Sequence, residues 1–153
     1  MNNERVKKEC LKLIEQSKAA YLTTIDFEGN PITRAMFNLR NKKQFPEFSK
    51  LFINPKNQFL IYISTNTSSS KISHIKEKSA INVYFCDPDD FKGVMLGGNA
   101  EIVDDMKIKQ EIWLDWWTRY YPQGVNDPDY TLLRLNPRTL RYYYRLNQIK
   151  LDL

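Results

Sequence analysis

The sequence has little of what metal sites and disulfide scaffolds require. Its 153 residues include one histidine and two cysteines, Cys10 and Cys86, which lie far apart and form no C-x-x-C pair. We therefore expect no bound metal ion and no disulfide, and free thiols are typical of a reducing cytoplasm. The N-terminal segment is too polar for a signal peptide, and no apolar run approaches the length of a transmembrane helix. These absences predict a soluble cytoplasmic protein.

The chain also lacks a concentrated block of charge. Its 23 basic and 18 acidic residues give a net charge of +5, and the basic residues are scattered along the sequence. Nucleic-acid binding typically uses a concentrated basic patch, so a basic pocket for a small phosphorylated ligand is the more economical interpretation. A basic β-barrel that binds single-stranded nucleic acid through its many aromatic residues stays open as an alternative.

The length fits one domain, residues 1–153, with a predominantly β pattern. Apolar alternation and turn residues predict strands over 20–25, 32–39, 59–64, 80–86, 92–103, 130–135 and 139–145, a short strand near 50–53, and helices over 4–19, 69–78 and from 104 or 105 to about 120. Within the long fifth strand, Gly97-Gly98 predicts a bulge or a close backbone approach. Consecutive strands joined by tight turns favour a closed or partly closed antiparallel barrel.

The segment most informative about function is the hydroxyl-rich turn that leads into the second helix. Six of the seven residues from Ser64 to Ser70 are serine or threonine, and Lys71 follows directly. Hydroxyls and free N–H groups at a helix start, next to a cation, form a good phosphate site. A lysine in the first helical turn opposes the helix dipole unless an anion is bound there. The alternative is that these hydroxyls only cap the helix.

Arg34 is the second candidate for phosphate binding. It lies in an apolar strand, where alternation places it on the same face as Ile32 and Met36. A buried arginine is costly without a partner, which would indicate a ligand. The alternative is a position at the rim of the sheet, with the guanidinium in water.

Several segments of the chain, in order, resemble one known family. The matching segments are 26–31 (DFEGNP) leading into Arg34-Ala35-Met36, 63–66 (ISTN) with 69–71 (SSK), 94–103 (VMLGGNAEIV), 120–124 (YYPQG) and 127–130 (DPDY). In this order and spacing they resemble the flavin-binding proteins related to pyridoxamine 5′-phosphate oxidase, in particular the short branch called general stress protein 26-like. The resemblance implies a mainly β (α+β) fold, a six-stranded antiparallel split β-barrel with flanking helices.

The resemblance further implies a homodimer with FMN in the groove between the subunits. The cofactor-binding residues it implies are Arg34 and Lys71 at the phosphate, Ser69 and Ser70 beside them with Ser70 in place of an arginine of the full oxidases, Ser64 and Thr65 along the ribityl chain and flavin, and Ala35 and Met36 at the isoalloxazine. FAD or a deazaflavin in the same groove stays open.

The chain departs from the full oxidases on the substrate side. Leu39 stands where they have a lysine, Gly93 aligns with their glutamine near the flavin, and residues 146–153 show no counterpart of their substrate-binding segment. No residue is an evident acid, base or nucleophile. The resemblance therefore implies an FMN-binding oxidoreductase of unknown substrate. The alternative is a non-catalytic flavin-binding stress or sensor protein, or a carrier.

Two further features have structural interpretations. His74, the only histidine, is expected to be solvated or to cap the helix. Trp113, Trp116 and Trp117 share one face of the predicted third helix, and we expect them to pack in the core or at a dimer interface, with a wall against the flavin as the alternative.

Overall fold

The computed structural model describes residues 2–153, which form a curled antiparallel sheet with flanking helices. The α-helices are α1 (Asn3–Gln16), α2 (Ser70–Glu77) and α3 (Met106–Glu111). The strands are β1 (Ala19–Ile25), β2 (Pro31–Phe37), β3 (Ile61–Asn66), β4 (Ala80–Asp87), β5 (Lys92–Ile102), β6 (Tyr130–Leu135), β7 (Thr139–Tyr144) and β8 (Asn147–Asp152). Short 3-10 helices cover Pro46–Phe52, Pro55–Asn57, Asp115–Arg119 and Gly124–Asn126.

The sheet curls because β5 changes partner along its length. The main strand order is β2-β1-β4-β5-β6-β3, with β7 also beside β5 and β8 beyond β7. Residues 93–97 of β5 pair with β7, whereas residues 100–102 pair with β6. The predicted class, a mainly β split barrel with flanking helices, is confirmed. Within the described residues the sheet has eight strands, not the six of the expected barrel: seven lie where the sequence pattern predicts strands, and residues 147–152 add β8 against β7.

Three glycines in β5 allow close packing where its partners change. A Cβ atom on Gly97 would lie 2.8 Å from Thr139 Oγ1, and one on Gly98 would lie 3.0 Å from a Leu135 methyl group. The pairing of β5 with β4 continues in register through Gly97 and Gly98, which excludes a bulge between these two strands. Of the two predicted features, the close approach is therefore the one confirmed. At Gly93, a Cβ would overlap the phenol of Tyr84.

The core forms on the inner face of the sheet. Helix α1 places Val6, Cys10, Leu13 and Ile14 on one side at helical spacing, and all four are buried in the main cluster. Burial raises the pKa of the Cys10 thiol to about 12, which keeps it protonated. A second, aromatic cluster lies around Trp117 and Tyr130.

Two predicted elements are wrong. The short strand near 50–53 is instead part of the 3-10 helix Pro46–Phe52, which begins at a proline suited to the first helical position and buries Phe48. The third helix ends at Glu111 and not near Tyr120. The backbone leaves helical geometry between Ile112 and Leu114, which lets Ile112 and Trp117 both enter the aromatic cluster.

A search of residues 2–153 finds no helix long and apolar enough to cross a membrane. Over the same residues, no group of three or more His, Cys, Asp or Glu side chains could hold a metal ion.

Asn38 joins the end of β2 to the end of α1. Its buried amide donates to the carbonyls of Ile14 and Ser17 at 2.7 and 2.8 Å, and its Oδ1 accepts from Arg40 N–H at 3.1 Å. The same contacts hold the chain where β2 leaves the sheet, and therefore fix the direction of the following loop.

We expect Asn38→Leu to lower the free energy of unfolding by about 2–4 kcal/mol, because the Ile14 carbonyl and the Arg40 N–H lose their partners inside the protein. Chemical denaturation measures the change. The matched control is Asn126→Leu, at an exposed asparagine whose side chain makes no hydrogen bond among the described residues. Equal stability of the two variants would contradict this role of Asn38.

Candidate functional site

Arg34 lies on the edge strand β2, with its side chain directed to the inner face. Its Nη1 donates to Thr24 Oγ1 and to the carbonyl of Ile32, both at 2.8 Å. Thr24 is fully buried, whereas Arg34 is only half-buried because β2 has a sheet neighbour on one side alone among the described strands. Both sequence interpretations hold in part, since the arginine faces inward but sits at the rim.

Lys71 reaches the same region from the start of α2. Ser69 is the N-cap of this helix, and its hydroxyl accepts from the Lys71 backbone N–H at 3.4 Å. The Lys71 ammonium donates to Thr65 Oγ1 and Ser69 Oγ, each at 2.7 Å. An ammonium has three donors, so one remains for a ligand. The hydroxyl-rich turn therefore holds the lysine in place.

The two cations repel one another. Burial, followed by the nearby charge of Arg34, lowers the pKa of Lys71, and burial lowers the pKa of Arg34. Within residues 2–153, neither side chain forms an ion pair with a carboxylate. Two partly buried cations that repel one another, with no carboxylate paired to either among residues 2–153, favour the binding of an anion.

A cavity of about 600 Å³ opens beside this pair of cations. Of the residues predicted from the sequence, Ala35, Met36, Ser64, Thr65 and Lys71 line it. Ser69 adjoins it through its hydrogen bond with Lys71, whereas Arg34 does not line it and is near enough only for its charge to act on Lys71. Ser70 is exposed as the first residue of α2 and does not line the cavity.

The remaining lining residues are not among the cofactor-binding residues that the resemblance implies, although a wall against the flavin was the alternative given for Trp117. They are Lys18, Ala19, Phe37, Gln44, Asn66, Trp117, Tyr120 and Tyr121. Phe37, Trp116 and Tyr120 form an exposed aromatic group, with ring centroids 6.1 to 6.4 Å apart. The three tryptophans differ in burial. Trp117 is buried in the aromatic cluster, whereas Trp116 is 44% exposed.

Asp129 holds the hydroxyl-rich turn in shape. Its carboxylate accepts from Ser68 N–H at 2.8 Å and from the Asn66 side-chain amide at 3.1 Å, and its backbone carbonyl accepts from Thr67 N–H at 2.7 Å. The hydrogen bonds from Ser68 and Asn66 hold the pKa of Asp129 below its usual value. The only sequence signal for this contact was the turn 127–130, which resembles the family but had no assigned role.

His74 does not belong to the site. The expectation of a solvated side chain is wrong, because the imidazole is buried with its ring edge-to-face against Phe27 at 4.7 Å. Its Nδ1 has no hydrogen-bond partner among the described residues. The backbone carbonyl of His74, and not its side chain, accepts from Lys78 N–H at the end of α2.

The sequence model of the "Pyridoxamine 5′-phosphate oxidase like" family matches residues 53–150, more than half of the chain. The chain belongs to this family. The resemblance seen in the sequence is therefore confirmed, and the matched region includes the hydroxyl-rich turn, Lys71 and Asp129.

Solved structures of similar proteins cover nearly the whole chain. A Clostridium acetobutylicum protein related to general stress protein 26 of Bacillus subtilis, of the pyridoxine phosphate oxidase family, is 31% identical with a TM-score of 0.80, covering 99% of this chain and 97% of its own. General stress protein 26 of Bacillus anthracis is 22% identical with a TM-score of 0.70, covering 96% and 99%. A heme-binding protein of Mycobacterium smegmatis shares the fold at 13% identity and a TM-score of 0.69, covering 95% of this chain and 57% of its own. The comparison with curated proteins gave no match.

We expect Asp129→Ala to loosen the hydroxyl-rich turn of this family member, because Ser68 N–H and the Asn66 amide lose their acceptor. Amide hydrogen exchange at Ser68 should become several-fold faster, since local opening costs less free energy. The control is Asp89→Ala, at an exposed aspartate whose carboxylate accepts no hydrogen bond among residues 2–153. Unchanged exchange at Ser68 in Asp129→Ala would show that the turn is held by other contacts.

Proposed function

We propose that the chain binds FMN as a homodimer and acts as an oxidoreductase on a substrate that enters the dimer groove. The observation that carries this proposal is the pair Arg34 and Lys71, two partly buried cations whose charges repel one another and which form no ion pair with a carboxylate among residues 2–153. Among the ligands known in the family, a flavin with a phosphate monoester supplies the missing charge.

The phosphate end of the cavity has the donors that this group needs. Arg34 uses Nη1 for protein contacts, which leaves Nη2 and Nε for phosphate oxygens, and Lys71 keeps one ammonium proton. The start of α2 adds a favourable helix dipole. Binding of a dianion would relieve the repulsion between the two cations.

The opposite end of the cavity has the groups that suit a planar ring. Ala35 and Met36 supply edge-strand backbone and an apolar surface, and Tyr120 adds an aromatic ring to the lining. A flavin bound here would supply hydride or electron transfer, and the protein would orient the ring and control access to it. The lining has no carboxylate or imidazole. Burial, with the charge of Asp129, raises the pKa of Tyr121 to about 12, so its hydroxyl stays a proton donor at neutral pH.

The outer face of the sheet is suited to a second copy of the chain. Tyr21 on β1 is paired in register with Tyr84 on β4, and both are more than a third exposed. Ala35 lies on the other side of Tyr21 and also lines the cavity. An apolar face continuous with the cavity wall would, on dimerisation, bury the aromatic rings and enclose the ligand between subunits.

We expect Arg34→Ala and Lys71→Ala each to weaken FMN binding by about 1.5–3 kcal/mol, the cost of losing a charge-assisted contact to phosphate. Quenching of FMN fluorescence by the apoprotein measures the dissociation constant. Riboflavin, which lacks the phosphate, should bind the wild type and both variants with similar affinity. This second ligand distinguishes loss of the phosphate contact from general damage to the cavity.

The matched controls are Arg5→Ala and Lys8→Ala, at exposed residues of α1 away from the cavity. Wild-type affinity for FMN in both site variants would place the phosphate elsewhere, and absence of any quenching by the wild type would refute flavin binding. Reduction of bound flavin by NADH or NADPH, followed by reoxidation with added acceptors, separates an oxidoreductase from a sensor or carrier.

For the dimer, we expect the wild type to sediment as two copies and Tyr21→Glu to raise the dimer dissociation constant at least about tenfold, because a carboxylate would be buried opposite the partner. Sedimentation equilibrium measures the constant. The control is Ile53→Glu, at a residue that is 78% exposed and lies outside the sheet, directly after the 3-10 helix Pro46–Phe52. A monomeric wild type, or a Tyr21→Glu variant that dimerises normally, would rule out this interface.

A further inference from the structure

Arg40 is a second buried cation, separate from the cavity beside Lys71. It lies three residues after the end of β2, is only 5% exposed, and packs its guanidinium over the ring of Phe52 at 4.0 Å from the ring centre. Burial lowers the pKa of Arg40 to about 10, and the charge of the nearby Glu15 carboxylate offsets only part of this effect. Such desolvation of a charge is costly, so the surroundings must compensate for it.

The protein satisfies only part of this guanidinium. Nη1 donates to the carbonyl of Leu60 at 2.8 Å, and within residues 2–153 this is the one hydrogen bond made by the Arg40 side chain. A guanidinium has five N–H donors. No ion pair joins Arg40 to a carboxylate in the same part of the chain. Stacking on Phe52 fixes the plane of the fork and leaves its remaining edge for a ligand.

Arg40 lines a cavity of about 420 Å³ whose charged lining is mainly basic. Lys42 and Lys50 line it together with Arg40, and Glu15 is the one carboxylate of the lining. Glu15 is already paired with Lys42 at 3.0 Å. Lys50 forms no ion pair among the described residues and is exposed at the cavity mouth. The site therefore combines the buried, planar guanidinium of Arg40 with the exposed ammonium of Lys50.

We propose that this cavity binds a small anion, a carboxylate or a phosphate monoester, held by two parallel N–H groups of Arg40 and by the Lys50 ammonium. Bidentate geometry matches both ligand types, and the charge of the ligand would offset the desolvated guanidinium. The site does not share a lining residue with the cavity proposed for FMN, so it can be occupied independently of that ligand.

The test uses the full chain carrying Arg34→Ala and Lys71→Ala, so that the first cation pair cannot bind the probes. Inorganic phosphate and succinate are titrated separately, and the ¹⁵N resonances of the Arg40 side chain and of the Ser49 and Lys50 amides are followed by NMR. Saturable shifts with either probe support the proposal. Shifts with phosphate alone would identify the ligand as a phosphate monoester, and shifts with succinate alone would identify it as a carboxylate.

Two further substitutions test the residues named. Lys50→Ala should weaken probe binding about tenfold, as for loss of one charge-assisted contact, whereas Lys43→Ala, at an exposed neighbour outside the lining, should leave it unchanged. Arg40→Lys keeps the charge but removes the fork and should abolish binding. If Arg40→Lys fails to fold, Lys50→Ala still decides the question. Absence of saturable shifts, or equal effects of Lys50→Ala and Lys43→Ala, would overturn the proposal and leave Arg40 as a support for Leu60 and Phe52.

Discussion

The repulsion between Arg34 and Lys71 is the constraint around which this part of the molecule is organised. The two cations lie on separate elements, since Arg34 is on the edge strand β2 and Lys71 is in the first turn of α2. Hydroxyl groups hold both side chains, through Thr24 for the arginine and through Thr65 and Ser69 for the lysine. Hydroxyls fix position without neutralising charge, which leaves the site ready for an anion instead of closing it with an internal ion pair.

That arrangement requires a rigid support behind it. Thr65 is buried in β3, which pairs along its whole length with β6. The loop before β6 supplies Asp129, whose carboxylate and carbonyl hold the turn from Asn66 to Ser68. The long strand β5 joins this half of the sheet to the half that contains β1 and β2. The distance between the two cations therefore depends on how β5 bends between its two sets of partners.

Much of this could be predicted from the sequence because the signals were local. Alternation in β1, β3 and β4, helical spacing in α1, and the hydroxyl-rich turn each depend on neighbouring residues, and the structure has elements at these places. The features that could not be predicted depend on contacts between residues that lie far apart in the sequence. The segment 147–152 has weak alternation, and it is a strand because β7 offers an edge. The chain leaves α3 after Glu111 because Ile112 and Trp117 are both buried in the aromatic cluster. The contacts of Asp129 and Arg40 could not be predicted for the same reason, because their hydrogen-bond partners lie far away in the sequence.

Gly93 and Tyr84 occupy paired strands near the outer face, and the tyrosine phenol fills the space that a side chain at residue 93 would need. The residue at position 84 therefore limits which residues position 93 can accept, and the reverse holds as well. A chain with a larger residue at 93 needs a smaller or displaced residue at 84. A single exchange at either position leaves a steric conflict or a hole, so passage between the two arrangements requires both changes. In this chain, the phenol of Tyr84 covers the backbone of β5 at Gly93.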